Sequence, residues 1–96
     1  MKQGASHNEW LKAKLADPEY AAEYLNAASE DDDPKVYLAA LRHVVEARGG
    51  MASVAEKASL SRETLYRTLS ARGNPTIRTL SAVLRATGLK FGVSAH

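Results

Sequence analysis

There is no cysteine in the 96 residues. That excludes a disulfide framework and a thiolate metal site, and it is compatible with the reducing cytoplasm in which we expect the protein to act. No apolar run approaches the roughly 18 residues of a membrane span, so no membrane partner is expected. The N-terminus lacks the apolar stretch of a secretory signal. Signatures of catalysis are missing as well. His7, His43 and His96 lie in different regions, and no HExxH, nucleophile–base pair or phosphate loop is present. Asp31-Asp32-Asp33 lacks the spaced acids and the glycine of a calcium loop, and helix capping accounts for it better. The expectation is a non-enzyme with no catalytic residue, no metal ligand and no cofactor.

What the chain does have is an ordinary apolar content, 45%, enough for one modest core in one small all-α fold. Its net charge of +2 hides a strong segregation. Residues 1–33 hold three lysines against eight acids, a net of −5, and residues 34–96 hold ten Lys or Arg against three acids, a net of +7. Arg62, Arg67, Arg72, Arg78 and Arg85 crowd into one short region. A basic half of this kind suits phosphate contact, although a solvated basic surface has the same composition.

Three regions follow from the pattern. Residues 1–7 show no periodicity and read as a flexible tail. Residues 8–33 read as an acidic helical region. Asn8 caps a helix carrying Trp10, Leu11 and Leu15, and Asp17-Pro18 opens a second with Tyr20, Ala21, Tyr24, Leu25 and Ala28 along one stripe. Residues 34–96 form the third region. Asp33 caps and Pro34 opens a helix to about Arg48, with Tyr37, Leu38, Leu41, Val44 and Val45 on its apolar face, and Gly49-Gly50 ends it. Two short helices, about Ala52–Ala58 and Arg62–Ala71, meet at a tight turn. After Gly73, Thr76 caps a last helix lined by Ile77, Leu80, Val83 and Leu84. Leu89, Phe91 and Val93 then alternate with polar or small residues, a strand pattern with no second strand elsewhere. Pairing with the same strand of a second copy would satisfy its backbone and give a homodimer.

The pair of short helices is the sequence shape of a helix-turn-helix. Ser61 is a natural N-cap, Glu63 suits the positive helix end, and Leu65 and Leu69 share one face. The opposite face offers Arg62, Glu63, Tyr66 and Arg67 to solvent or to a major groove. Many helical proteins contain two such helices without touching DNA, so a protein-only interaction module stays open beside the DNA-binding reading. Salt dependence of binding separates them.

The run from Leu60 to Ser70, followed by Gly73-Asn74-Pro75-Thr76, resembles the addiction-module antidote family of bacterial toxin–antitoxin systems. It also resembles the phage-repressor (Xre/Cro) type of helix-turn-helix. Tyr24-Leu25-Asn26, the segment Tyr37–Leu41, Arg48-Gly49-Gly50-Met51 and Thr87-Gly88-Leu89-Lys90-Phe91 fit the same family, so the likeness covers the chain from about Trp10. The resemblance implies a compact helical bundle and an antitoxin. Such a protein would bind double-stranded operator DNA as a dimer, repress its own operon and neutralise a RelE/HigB-like ribonuclease toxin. A stand-alone regulator without a toxin is the alternative. Three positions depart from the pattern. Ser59 stands where many repressors have a turn glycine, Ser53 where many have glutamine, and Thr68 where a large apolar residue is usual, with Leu69 available to replace it.

The expected DNA contacts are Ser53, Ser61, Arg62, Glu63, Thr64, Tyr66, Arg67, Asn74, Thr76 and Arg78. Arginine pairs with guanine through two hydrogen bonds, worth roughly 1–3 kcal/mol of discrimination. Glu63 either accepts from cytosine or positions Arg67 at i+4. Tyr66 either meets the DNA or packs on a neighbouring helix. Ser53, Asn74, Thr76 and Arg78 suit phosphates, with turn and cap roles the simpler account of Asn74 and Thr76. Leu89, Phe91 and Val93 are the expected dimerisation residues. Trp10, Tyr20 and Tyr24 are expected toxin anchors or, alternatively, core.

Overall fold

The computed structural model describes residues 3–93 and Ala95, with side chains from His7 onward. Six helices follow in order: α1 (Gln3–Leu15), α2 (Pro18–Ser29), α3 (Pro34–Ala47), α4 (Gly50–Lys57), α5 (Arg62–Thr68) and α6 (Ile77–Ala86). Among the described residues there is no strand, and no helix is long and apolar enough to cross a membrane.

Capping chemistry sets most of the boundaries. The Asp17 carboxylate accepts from the Tyr20 N–H at 3.2 Å, and that of Asp33 accepts from the Lys35 N–H at 3.0 Å, each with proline at the first helical position. Asp31 accepts from the Asp33 N–H at 2.8 Å and so shapes the α2–α3 turn. Thr76 caps α6 through the Thr79 N–H at 3.1 Å. Two starts differ from expectation. Helix α4 begins at Gly50, two residues before Ala52. Helix α1 begins at Gln3, within the stretch read as a tail, and not at Asn8; Met1 and Lys2 lie outside the described residues. Helix α5 stops at Thr68, three residues short of Ala71.

Helix α3 is the hub of the first half, packed on α1, α2 and α4, and α4 gathers α5 and α6. One core cluster takes Leu15, Ala21 and Leu25 from before residue 34 and Leu41, Val44, Val45, Val54, Leu65, Leu69 and Val83 from after it. Removing each large aliphatic side chain from water contributes about 1.5–3 kcal/mol. Ile77 is the exception to the expected α6 stripe. At 76% exposed it sits in the first turn of the helix, beyond the core that buries Val83 and Leu84.

Arg48 closes the bundle. Its Nε donates to the Thr87 carbonyl at 2.6 Å and its Nη1 to the Ala16 carbonyl at 2.5 Å. One guanidinium thus satisfies carbonyls at the ends of both α1 and α6, which have no partners inside their own helices.

Helices α4 and α6 end in the same way. After α6, the Gly88 N–H bonds to the Arg85 carbonyl and the Leu89 N–H to that of Leu84, both at 2.9 Å, around a left-handed Gly88 (φ 91°). After α4, the Ser59 N–H bonds to the Glu56 carbonyl at 3.1 Å and the Leu60 N–H to that of Ala55 at 2.8 Å. This is the same paired closure of a helix C-terminus, with the left-handed position filled by Ser59 (φ 61°). The departure at Ser59 therefore leaves the turn geometry intact and places a side chain in a conformation that glycine adopts more cheaply.

Candidate nucleic-acid interface

The α4–α5 pair forms as its residues dictate. Ala55 is buried and Ala58 packs against the core, so the two helices close together, and Leu60 in the turn packs, half-buried, against the same core. The Ser61 hydroxyl oxygen accepts from the Thr64 N–H at 3.0 Å, and the Ser61 and Thr64 hydroxyls bond to each other at 2.8 Å. Leu65 and Leu69 are fully buried, which fixes the inner face of α5. Leu69 takes over the packing role that Thr68, only half-buried, does not fill.

That anchoring sends the other face outward. Ser61, Arg62, Glu63, Tyr66 and Arg67 are exposed, Tyr66 at 45%. Thr64 and Ser53 are half-buried, and Asn74, Thr76 and Arg78 are exposed on the α5–α6 loop and the start of α6. Arg72 and Arg85 are exposed too, so all five arginines of the basic region reach solvent. Ser61, Thr64 and Thr76 spend their hydroxyls on capping bonds. Glu63 and Arg67 stand one turn apart on the same exposed face.

Two features of this surface gave little sequence signal. Arg42, flanking the apolar stripe of α3, reaches the C-terminus of α5, where its Nη2 donates to the Leu69 carbonyl at 3.0 Å. A cation at that end also suits the helix dipole. The Arg42 Nε is buried without a partner. Gly73 is the second. A Cβ there would stand 1.9 Å from the Thr68 carbonyl oxygen, so the loop leaving α5 folds back too tightly for any side chain. Helix α1 also borders this surface: His7, Asn8 and Lys12 share a cleft with Arg62 and Tyr66.

The acidic region presents a different surface. Trp10 is 51% exposed, whereas Leu15 on the same helix is fully buried. Lys14 Nζ lies 5.8 Å from the Trp10 ring centroid and 6.0 Å from that of Tyr20, a cation–π bridge from α1 to α2, and His7 stacks on Trp10. Tyr20 and Tyr24 are half-buried. Tyr24 hydrogen-bonds His43 Nδ1 at 2.8 Å. Its phenol pKa is pushed up, first by burial and then by the charge of Tyr20, and burial also raises that of Tyr37. No group of three His, Asp or Glu among the described residues is placed to hold a metal ion.

At the C-terminus, Leu89 packs against the core, while Phe91 is 44% and Val93 102% exposed. The expected strand does not form within one chain: the elements beside the segment are helices, which offer no edge for a backbone ladder.

Comparison with known proteins places this architecture. A family model described as "probable addiction module antidote protein" matches residues 9–95. A Haemophilus influenzae (strain Rd) protein described only as an uncharacterized protein is 41% identical over 70 residues, covering 73% of this chain and 71% of that one. No solved structure matches. With the match running from the middle of α1 through the C-terminal segment, the chain belongs to the probable addiction module antidote family.

Proposed function

We propose that the protein is the antitoxin of a type II toxin–antitoxin module, binding operator DNA as a homodimer through a phage-repressor type helix-turn-helix made of α4 and α5. It represses its own operon and neutralises a RelE/HigB-like ribonuclease. The observation that carries the DNA-binding part is the outward face of α5. Leu65 and Leu69 hold the helix from inside while Arg62, Glu63, Tyr66 and Arg67 project together from the basic half of the chain. In this reading Arg62 and Arg67 meet base edges, and Arg78 and Asn74 meet phosphates.

The toxin-directed part has a different basis. Family membership supports an antitoxin role, and the acidic region, carrying the exposed Trp10, is the surface that opposite charge would draw toward a basic partner. Half-buried Tyr20 and Tyr24 lie behind it and serve packing as well as contact.

The test is a gel shift on the protein's own promoter, with Arg62→Ala and Arg67→Ala as controls. Each variant is expected to weaken binding by about tenfold or more, the worth of one good base contact. Full binding by both variants removes α5 from the interface. Absence of binding at low salt favours a protein-only interaction module.

A further inference from the structure

An open groove of about 890 Å³ runs between the α2–α3 turn and the α5–α6 loop, where Gly73, Asn74 and Pro75 line it. Leu25, Leu38 and Leu84 lie along it, together with the C-terminal segment Leu89–Val93 and the α2–α3 turn. Two acids of that turn, Asp31 and Asp32, line it, as does Lys90. Two acids against one lysine leave the wall with a net negative charge, which an apolar occupant carrying a cation complements. The chain's own segment Leu89-Lys90-Phe91-Gly92-Val93 has that composition, and it holds Phe91 and Val93 out in solvent. It cannot fill the groove of its own chain, because it forms part of the wall.

We infer that this groove receives the C-terminal segment of a second copy, with Phe91 of each chain seated in the groove of the other and Lys90 of each set against Asp31 and Asp32 of the other. The inference rests on the homodimer reading and specifies its interface. The arrangement is isologous, so one contact made twice closes the pair. The two segments lie side by side between two α2–α3 turns, each providing the backbone edge that the other lacks. Charge and shape act together. The apolar floor removes Phe91 and Val93 from water, and the acid–lysine contact sets which way the incoming segment runs.

The experiment is a charge swap read by light scattering and sedimentation equilibrium. Asp32 is chosen because Asp31 shapes the α2–α3 turn. Asp32→Lys and Lys90→Asp are each expected to raise the dimer dissociation constant about tenfold, and the double variant to return it to within about threefold of wild type, the coupling signature of a direct pair. A double variant that dimerises no better than the singles, from a wild type that does dimerise, overturns this interface and leaves the homodimer reading in place. A wild type that stays monomeric overturns both. The absence of native cysteine allows a second measurement. Asp32→Cys chains mixed with Lys90→Cys chains and oxidised are expected to give a covalent dimer that Asp32→Cys chains alone do not give. Equal yields from the mixture and from Asp32→Cys alone overturn the interface.

Discussion

The guanidinium of Arg48 and the carbonyl of Thr87 are 2.6 Å apart, and through that contact the end of α3 holds the end of α6. The same side chain holds the end of α1 through Ala16. Arg48→Ala is expected to lower the urea midpoint at unchanged m, a loss of about 2 kcal/mol from two charged hydrogen bonds, the one to Thr87 partly buried and the one to Ala16 exposed. Arg48→Lys recovers only part of it, because a single ammonium cannot span two carbonyls as a planar fork does.

Ser59 invites the opposite change. Its left-handed conformation costs about 1–2 kcal/mol for a residue with a Cβ. Glycine removes that strain and gives back about 0.4–1 kcal/mol through a freer unfolded chain. Ser59→Gly is therefore expected to stabilise the fold by about 0.5–1 kcal/mol, raising the Tm by about 2–6 °C. Ser59→Val, with a branched Cβ at positive φ, is expected to lower it. Calorimetry on the three proteins checks both signs.

On the proposed DNA-binding reading, Arg62 and Arg78 are expected to fail differently. Arg62→Ala relaxes sequence preference at one base pair of each half-site. Arg78→Ala weakens binding evenly across sequences and reduces the slope of log K against log salt by about one. Titrations of matched and mismatched duplexes at several salt concentrations distinguish the two.

Tyr24 and Tyr37 set a limit on the alkaline side. Both phenols are raised above the ordinary value of 10.0 in the folded chain. The unfolded chain ionises them first, so their contribution is fully present below pH 10 and is lost as pH climbs through their folded values. Denaturant midpoints measured across that range are expected to fall. Tyr24→Phe and Tyr37→Phe together are expected to flatten the decline.

Much of this is legible in the amino-acid sequence, and for a physical reason. Asp17, Asp33, Ser61 and Thr76 each announce a helix start through a local bond to a residue two or three positions on, and sequence displays such bonds directly. The inner and outer faces of α5 followed from the spacing of Leu65 and Leu69. Long-range contacts were invisible by the same reasoning. Arg48 and Thr87 are 39 residues apart, Arg42 and Leu69 are 27, and nothing in the spacing of either arginine names its acceptor. Ile77 continued the α6 stripe in sequence but lies past the end of the core, because periodicity gives the direction of a side chain and not whether anything stands opposite it. The Leu89–Val93 pattern showed alternation, and a strand needs a neighbour that one chain does not provide.

Helix α5 has only seven residues, about half the length at which a helix holds itself together in water. It has no life apart from Leu65, Leu69 and the Arg42 tether. The arginine face it carries is therefore present in full or not at all. A protease that captures the opened chain would erase this surface in a single event, leaving no half-active remnant, and its disappearance would follow the population of unfolded molecules.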